Sequence, residues 1–283
     1  MKAESKTVTF DTITTHYLEA GKGPTVLLLH GGEFGAAAEL SWEFTIDHLS
    51  RSYRVIAPDW LGYGGTDKIY DFTRGGRRRI EHMASFIRHM GIGGSHIVGH
   101  SMGGTILAQI ISTEAELFQA RSATLISGGG VVPDNAARQT LMDYDCTRES
   151  MREVLKVLFY DPKWSQNEEY LERRLKLSLV PGAWECTAAA RFKNPTLPER
   201  SQFGHEDKNP YEKISIPTLV IAGANDPLRE KGYANEMAKR IPDNELHILE
   251  QCSHCAQIEK PQEVLPLMTD FLSRAQNKTT NAR

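Results

Sequence analysis

The chain has little of what marks membrane-spanning, secreted or nucleic-acid-binding proteins. It contains no run of about 18 apolar residues, so no segment is predicted to span a bilayer. Its first residues lead into no apolar stretch typical of a signal peptide. The net charge of −3 gives no basic excess for nucleic acid or for an anionic membrane surface. We therefore expect a small-molecule substrate as the partner, with no nucleic acid and no membrane.

Cysteine is also scarce, with four residues among 283 at irregular spacing. This usage favours a reducing cytoplasm over a disulfide framework. Cys252 and Cys255 form a C-x-x-C around Ser253 and His254, but the chain has no second C-x-x-C or H-x-x-x-H pair to complete a zinc site. We predict no metal and no cofactor.

What is present is an ordinary globular composition, 40% hydrophobic and 24% charged, enough for a sizeable core. Short apolar runs alternate with helical stretches, which predicts an α/β fold with a mostly parallel sheet and helices on both faces. The predicted parallel strands are Thr25–Leu29, Arg54–Pro58, Ser95–Val98, Ala123–Ile126, Pro217–Gly223 and Glu245–Leu249.

The alternation stops over residues 132–209, which are helical and irregular. We predict one core domain made of residues 1–131 and 210–275, with residues 132–209 inserted as a helical cap, or lid. Cap aromatics more often pack than contact ligands, but Trp184 and Phe192 are candidates for an apolar substrate pocket. The polar residues 276–283 are expected to form a disordered tail.

A G-x-S-x-G pentapeptide lies between a short apolar run and a buried helical run. It reads Gly99-His100-Ser101-Met102-Gly103, with Gly104 after it. A serine on a tight strand-to-helix turn has a strained backbone and an exposed hydroxyl. The helix that follows directs its N-terminal N–H groups toward the same place. Ser101 is therefore the predicted nucleophile.

A serine hydroxyl is a poor nucleophile near neutral pH and needs a base that an acid holds in place. In α/β proteins with this turn, the order along the chain is serine, acid, histidine, each after a strand. Asp226 and His254 follow the last two predicted strands, whose carboxyl ends lie at one sheet edge. We predict a Ser101–Asp226–His254 catalytic triad, with Asp134 as the alternative acid.

An oxyanion hole needs two backbone donors near the nucleophile. One is expected to be the N–H of Met102, immediately after Ser101, and the other to come from the His30-Gly31-Gly32 loop after the first parallel strand. We choose Gly32, because a residue without a side chain lets the substrate carbonyl approach. Gly31 of the same loop is a candidate substrate contact.

With these motifs the chain resembles the α/β-hydrolase superfamily from about Val8 to Leu272. The motifs that carry the resemblance are His30-Gly31-Gly32, Pro58-Asp59-Trp60-Leu61-Gly62-Tyr63-Gly64, Gly99–Gly104, Asp226 and His254. The resemblance implies a hydrolase on an α/β-hydrolase fold, although that fold hosts many reactions.

Within the superfamily the chain looks most similar to the meta-cleavage-product hydrolases of aromatic degradation. These enzymes need no cofactor and cleave a carbon–carbon bond in dienoates made by ring-opening dioxygenases. The resemblance implies a homodimer and, by its position in residues 171–176, that Arg174 holds the substrate carboxylate. A guanidinium suits a carboxylate. The alternative is a salt-bridged helix surface, because Glu169 and Arg173 are four residues apart.

The chain departs from that family at several places around the site. The family usually has asparagine where His100 stands and tryptophan where Cys255 stands. Its oxyanion loop continues with glycine and proline where this chain has Glu33 and Phe34, and a second asparagine is replaced by Trp42-Glu43-Phe44. Substrate contacts are therefore expected to differ.

Two other functions stay open from the sequence. The first is a carboxylic ester or lactone hydrolase that forms an acyl-enzyme on Ser101, in which Arg174 would be incidental. The second, more remote, is a small-molecule receptor built on the same fold. Dehalogenases and epoxide hydrolases are disfavoured because their nucleophile is aspartate.

Overall fold

A computed structural model of the protein describes residues 3–189 and 204–280. Its eight strands form one sheet in the order β1-β2-β4-β3-β5-β6-β7-β8. Strands β3 to β8 are parallel to one another, whereas β2 pairs antiparallel with both β1 and β4. The strands are β1 Glu4–Phe10, β2 Ile13–Ala20, β3 Thr25–Leu29, β4 Arg54–Pro58, β5 His96–His100, β6 Ser122–Ile126, β7 Thr218–Gly223 and β8 Asn244–Leu249.

Twelve helices of the described residues surround or extend this sheet. They are α1 Ala38–Ser41, α2 Glu43–Leu49, α3 Gly76–His89, α4 Met102–Thr113, α5 Ala136–Met142, α6 Arg148–Leu158, α7 Lys163–Gln166, α8 Glu168–Ser178, α9 Ala183–Ala188, α10 Tyr233–Arg240, α11 Ala256–Glu259 and α12 Pro261–Thr280. The structure confirms the predicted mostly parallel α/β fold. No described helix is both long and apolar enough to cross a membrane.

The central strands are buried on both faces, which is why they are continuous apolar runs. Leu27 and Leu29 of β3 contribute to the core under α3 and α4. Val26 and Leu28, which alternate with them, contribute to the core under α2 and α12. Successive strand residues point to opposite faces, so one strand supplies both layers.

A third apolar cluster joins helices α5 to α9 to the loops at the carboxyl edge of the sheet. Met151, Val154 and Leu171 of these helices are buried together with Phe34 and Cys255 of the loops. Residues 136–188 are thus helical and pack over the sheet edge at which Ser101, Asp226 and His254 lie, in the region predicted to be a cap.

The expectation of a disordered tail from residue 276 is wrong for residues 276–280, which continue α12. Gln276 Oε1 accepts a hydrogen bond from Arg121 Nη1 at 2.9 Å and lies 3.0 Å from His96 Nε2. The polar composition predicted a disordered terminus, but the polar side chain of Gln276 has partners from distant parts of the chain. Residues 281–283 lie outside the described part of the chain.

Candidate active site

The turn that carries Ser101 has the strained geometry predicted for a nucleophile on a strand-to-helix turn. Ser101 lies between β5 and α4 with φ 51° and ψ −113°, a region that residues with a side chain rarely adopt. A Cβ on Gly99 would lie 2.6 Å from the backbone of Gly103 and Gly104. The chain can therefore double back this closely only because Gly99 has no side chain.

Asp226, His254 and Ser101 form a continuous hydrogen-bond chain at the carboxyl edge of the sheet. His254 Nδ1 lies 2.8 Å from Asp226 Oδ2, and His254 Nε2 lies 2.7 Å from Ser101 Oγ. A carboxylate only accepts, so Nδ1–H donates to Asp226 and Nε2 accepts the hydroxyl proton of Ser101. This is the arrangement in which a histidine acts as a general base on serine.

The carboxylate of Asp226 is buried and held in the ionised form. Burial raises the pKa of Asp226, but the charge and hydrogen bond of His254, the charge of Arg229 and the N–H of Leu228 together bring it below its ordinary value. The Leu228 N–H donates to Asp226 Oδ1 at 2.9 Å. Asp134, the alternative acid, is exposed and takes no part in this hydrogen-bond chain.

The loop after β3 lies directly against the residue that follows Ser101. A Cβ on Gly32 would lie 2.7 Å from Met102 Sδ, so Gly32 and Met102 are neighbours. The hydroxyl of Tyr63 donates to Gly32 O at 3.0 Å, and Trp60 Nε1 donates to His30 O at 2.9 Å. These two bonds fix the peptide groups of the loop beside the serine.

Glu33 is a second carboxylate in the site that the sequence reasoning treated only as a departure from the family pattern. It is 8% exposed, and its Oε1 lies 3.6 Å from His254 Nε2. Burial raises its pKa, but electrostatic interactions with His100, Arg174 and His254, with its own backbone N–H, bring the pKa to about 2. Gly31 lies beneath it, since a Cβ there would come 2.5 Å from the Glu33 carboxylate.

His100 is the other departure, and it packs against the base of the proposed triad. Its ring lies edge-on to that of His254, with centroids 5.1 Å apart. Its Nε2 lies 3.0 Å from the carbonyl oxygen of His254. Burial lowers the pKa of His100 to about 4, so the ring is neutral near pH 7.

Arg174 of α8 reaches the same place from the helical region. It is 3% exposed; its Nε donates to Phe34 O at 3.0 Å, and its Nη2 lies 3.6 Å from Glu33 Oε2. The neighbouring Arg173 points elsewhere and pairs with Glu43 at 3.0 Å, not with Glu169.

Of the two aromatic candidates, Trp184 is not brought to the serine by the contacts observed. Trp184 packs against the third apolar cluster, and its Nε1 donates to Tyr144 O at 3.3 Å. Phe192 lies outside the described residues. A pocket contact stays a prediction for both.

Comparison with known proteins identifies relatives of this protein. A family model described as "Alpha/beta hydrolase family" matches residues 26–267. The chain is 33% identical over 280 residues to a 2-hydroxy-6-oxo-6-(2'-aminophenyl)hexa-2,4-dienoic acid hydrolase of Metapseudomonas resinovorans, covering 95% of this chain and 91% of that one. It is 30% identical over 273 residues to a 2-hydroxymuconate semialdehyde hydrolase of Pseudomonas putida, covering 92% and 91%.

Solved structures agree with these sequence relatives. A meta-cleavage product hydrolase from Pseudomonas fluorescens IP01 superposes with a TM-score of 0.84 at 25% identity, covering 95% of this chain and 98% of that one. A serine hydrolase involved in carbazole degradation superposes with a TM-score of 0.80 at 30% identity, covering 96% and 99%.

Proposed function

The chain belongs to the alpha/beta hydrolase family and is a hydrolase, and from this premise we propose that it cleaves a carbon–carbon bond in a ring-fission dienoate. Ser101 is the nucleophile, His254 its general base and Asp226 the acid that orients the base. The observation that carries this proposal is the hydrogen-bond chain of 2.7 and 2.8 Å through the three side chains. The names of the two relatives described above refer to hydrolysis of a dienoic acid and of a muconate semialdehyde, and this supports the substrate class.

The proposed reaction passes through a keto tautomer and an acyl-enzyme. In the keto form the proton of the substrate's enol hydroxyl group has moved to a carbon of the chain, so the new carbonyl group can accept the electron pair of the bond that breaks. Ser101 Oγ then bonds to the substrate's other carbonyl carbon while His254 Nε2 takes the hydroxyl proton. The carbon–carbon bond breaks, its electron pair stays with the dienol fragment, and His254 returns the proton to that fragment. Water then adds to the acyl carbon while His254 takes one of its protons. The bond from that carbon to Ser101 Oγ breaks, and His254 returns the proton to Oγ.

The oxyanion that forms in each addition needs two donors, and we assign them to the backbone N–H groups of Gly32 and Met102. Their adjacency supports this assignment, since a Cβ on Gly32 would touch the Met102 side chain. Such donors act where charge develops, and removal of one typically lowers turnover about 10²–10³-fold.

We propose that Arg174 meets the substrate carboxylate and that residues 132–209 act as the cap over it. Support comes from the burial of the guanidinium and from Nη2, which has no hydrogen bond to any residue that the structure describes. A homodimer and a cytoplasmic location remain predictions.

One observation favours a second candidate, an ester or lactone hydrolase with an acyl-enzyme on Ser101. The carboxylate of Glu33 lies 3.6 Å from Arg174 Nη2, where it competes with a substrate carboxylate. A neutral ester has no carboxylate and therefore does not compete with Glu33 for Arg174.

A comparison of substrates on three proteins tests the proposal. Wild type, Arg174→Ala and, as a matched control, Arg173→Ala are assayed on ring-fission dienoates and on p-nitrophenyl esters. We expect dienoate turnover to fall sharply in Arg174→Ala alone. If esters are turned over far better than dienoates and Arg174→Ala is neutral, the carbon–carbon assignment is wrong.

The assignment of Ser101 is tested separately. Ser101→Ala is expected to lose both the burst and the steady-state release of p-nitrophenol. Turnover that survives this substitution contradicts the proposed nucleophile. The receptor alternative gains support if wild type turns over neither substrate class.

A further inference from the structure

Two residues that depart from the family pattern, Glu33 and His100, meet in space beside His254. Glu33 Oε1 lies 3.6 Å from His254 Nε2 and 4.0 Å from His100 Nδ1. The three ligand atoms all lie within 4.8 Å of one another. Each of the three residues is at least nine-tenths buried.

The tautomers of His100 and His254 follow from the hydrogen bonds that each ring makes on the side away from Glu33. His100 Nε2 lies 3.0 Å from a carbonyl oxygen, that of His254, so this nitrogen carries the proton. His100 Nδ1 therefore presents its lone pair on the side of Glu33. His254 Nδ1 likewise donates to Asp226, which leaves the lone pair on His254 Nε2; it accepts the Ser101 hydroxyl proton and lies 3.6 Å from Glu33 Oε1.

Three acceptor atoms thus converge in a buried space. Among the residues that the structure describes, neither Glu33 Oε1 nor His100 Nδ1 has a hydrogen-bond partner. These two acceptors lie 4.0 Å apart with no described donor between them, and they repel one another unless a cation or proton lies between them. The arrangement provides two imidazole nitrogens and one carboxylate oxygen around a common centre.

We propose that Glu33, His100 and His254 form a binding site for a divalent transition-metal ion of the zinc type. Two histidines and a glutamate are a donor set that Zn²⁺ takes in proteins. Both histidines also have the outer partners usual for metal ligands, a backbone carbonyl on His100 and a carboxylate on His254.

The spacing suits such an ion after small movements. With bonds of about 2.1 Å in a tetrahedral arrangement, ligand atoms lie roughly 3.4 Å apart. The separations of 3.6 and 4.0 Å exceed this by about 0.2 and 0.6 Å, and the third, between the two histidine nitrogens, is at most 4.8 Å. Arg174, the cation nearest the carboxylate, approaches the other oxygen, Oε2, at 3.6 Å, so Oε1 is left to bind the ion.

Occupation of this site inhibits the hydrolase. A metal ion on His254 Nε2 takes the lone pair that accepts the Ser101 hydroxyl proton. This consequence, unlike metal binding itself, rests on the proposed function. The ion is thus an inhibitor of this site and not a cofactor, and it is unrelated to the Cys252–Cys255 pair.

Calorimetric titration with Zn²⁺ alone tests the binding. Chelator-treated, desalted wild type is compared with Glu33→Gln and His100→Asn, and with two matched controls outside the cluster, Glu39→Gln and His247→Asn. We expect one zinc ion per chain in wild type and in both controls. Glu33→Gln and His100→Asn are expected to bind zinc with an affinity lower by about tenfold or more, since each removes one of three ligands. His100→Gln replaces His100→Asn if the latter does not melt cooperatively.

Activity gives an independent second readout. Zinc is expected to inhibit wild type at the concentration at which it binds, and His100→Asn, relative to its own zinc-free rate, is expected to need about tenfold more. Equal zinc affinity in wild type, Glu33→Gln and His100→Asn overturns the site, as does the absence of binding to wild type at millimolar zinc.

Ser101→Ala separates this inference from the proposed function. It removes the nucleophile but keeps all three ligands, so it is expected to bind zinc at least as tightly as wild type. Zinc binding by an inactive Ser101→Ala supports both proposals. If Ser101→Ala stays active, the proposed triad fails while the titration still decides the metal site.

Discussion

Replacement of Gly103 by alanine tests how closely the helix after Ser101 is packed against the end of β3 and the His30-Gly31-Gly32 loop. A Cβ on Gly103 would lie 2.3 Å from Leu29 O and 2.8 Å from His30 O. Both atoms belong to the backbone at the end of β3, so they cannot turn aside as a flexible side chain would. Gly76 is the matched control, because it also lies in the first turn of a helix and a Cβ there meets nothing within 4 Å.

The two substitutions share one stabilising effect and differ in one destabilising effect. Alanine favours a helix over glycine by up to about 1 kcal/mol. Overpacking costs about 1–3 kcal/mol, and a contact with backbone belongs at the upper end. We therefore expect Gly76→Ala to be neutral or slightly stabilising and Gly103→Ala to lose about 1–2 kcal/mol of unfolding free energy. For a chain of this size, each kcal/mol shifts Tm by about 2–4 °C.

Activity should suffer more than stability. Relief of the contact moves the end of β3, with Gly32 after it, away from Ser101 and Met102. A displacement of about 1 Å in a catalytic arrangement can lower the rate about 10²-fold. Thermal melting and kcat/KM on the same preparations check both effects. Gly103→Ala with the Tm and kcat/KM of wild type would refute the packing argument.

Three other substitutions each remove the charge or the hydrogen bonds of one buried carboxylate. Asp226→Asn keeps the shape of the acid but not the charge that orients His254, and we expect kcat to fall about 10⁴-fold; a fall under tenfold contradicts the triad. Folding lowers the pKa of Glu33 from 4.5 to about 2, so its contribution to stability is complete above 4.5 and is lost as pH falls toward 2. The difference in unfolding free energy between wild type and Glu33→Gln should shrink by about 1 kcal/mol from pH 7 to pH 3.5, and a constant difference in urea unfolding would count against this. Asp59→Ala leaves His16 Nδ1 and the N–H groups of Ala38 and Gly65 unpaired, and chemical denaturation should show a loss of about 3 kcal/mol or more; a loss below 1 kcal/mol contradicts it.

Local sequence predicted those elements whose pattern depends on nearby residues. The apolar runs Thr25–Leu29 and Arg54–Pro58 are strands with those bounds, because a run buried on both faces is apolar throughout. Polar composition misled at residues 276–280, since the partners of Gln276 come from Arg121 and His96. Proximity along the chain also suggested Glu169 for Arg173, whereas its partner is the distant Glu43.

The candidate site divides in the same way. Chain order and strand–turn–helix context were enough to select Ser101, Asp226 and His254 as candidates, because parallel strands end at one edge of a sheet. Sequence treated Glu33 and His100 only as two unrelated departures from a pattern. No periodicity or motif joins a loop residue after β3 to the residue before the serine.

Local patterns were sufficient to predict the order of the strands along the chain, the strained turn at Ser101 and which side chains lie at the carboxyl edge of the sheet. The folded structure was needed to show that Glu33 and His100 converge on His254, that Arg174 faces the carboxylate of Glu33, and which ring nitrogens donate hydrogen bonds. Backbone patterns repeat over a few residues and can be recognised locally. Side-chain contacts between distant loops, and the charges and lone pairs they bring together, exist only after the sheet has placed those loops side by side.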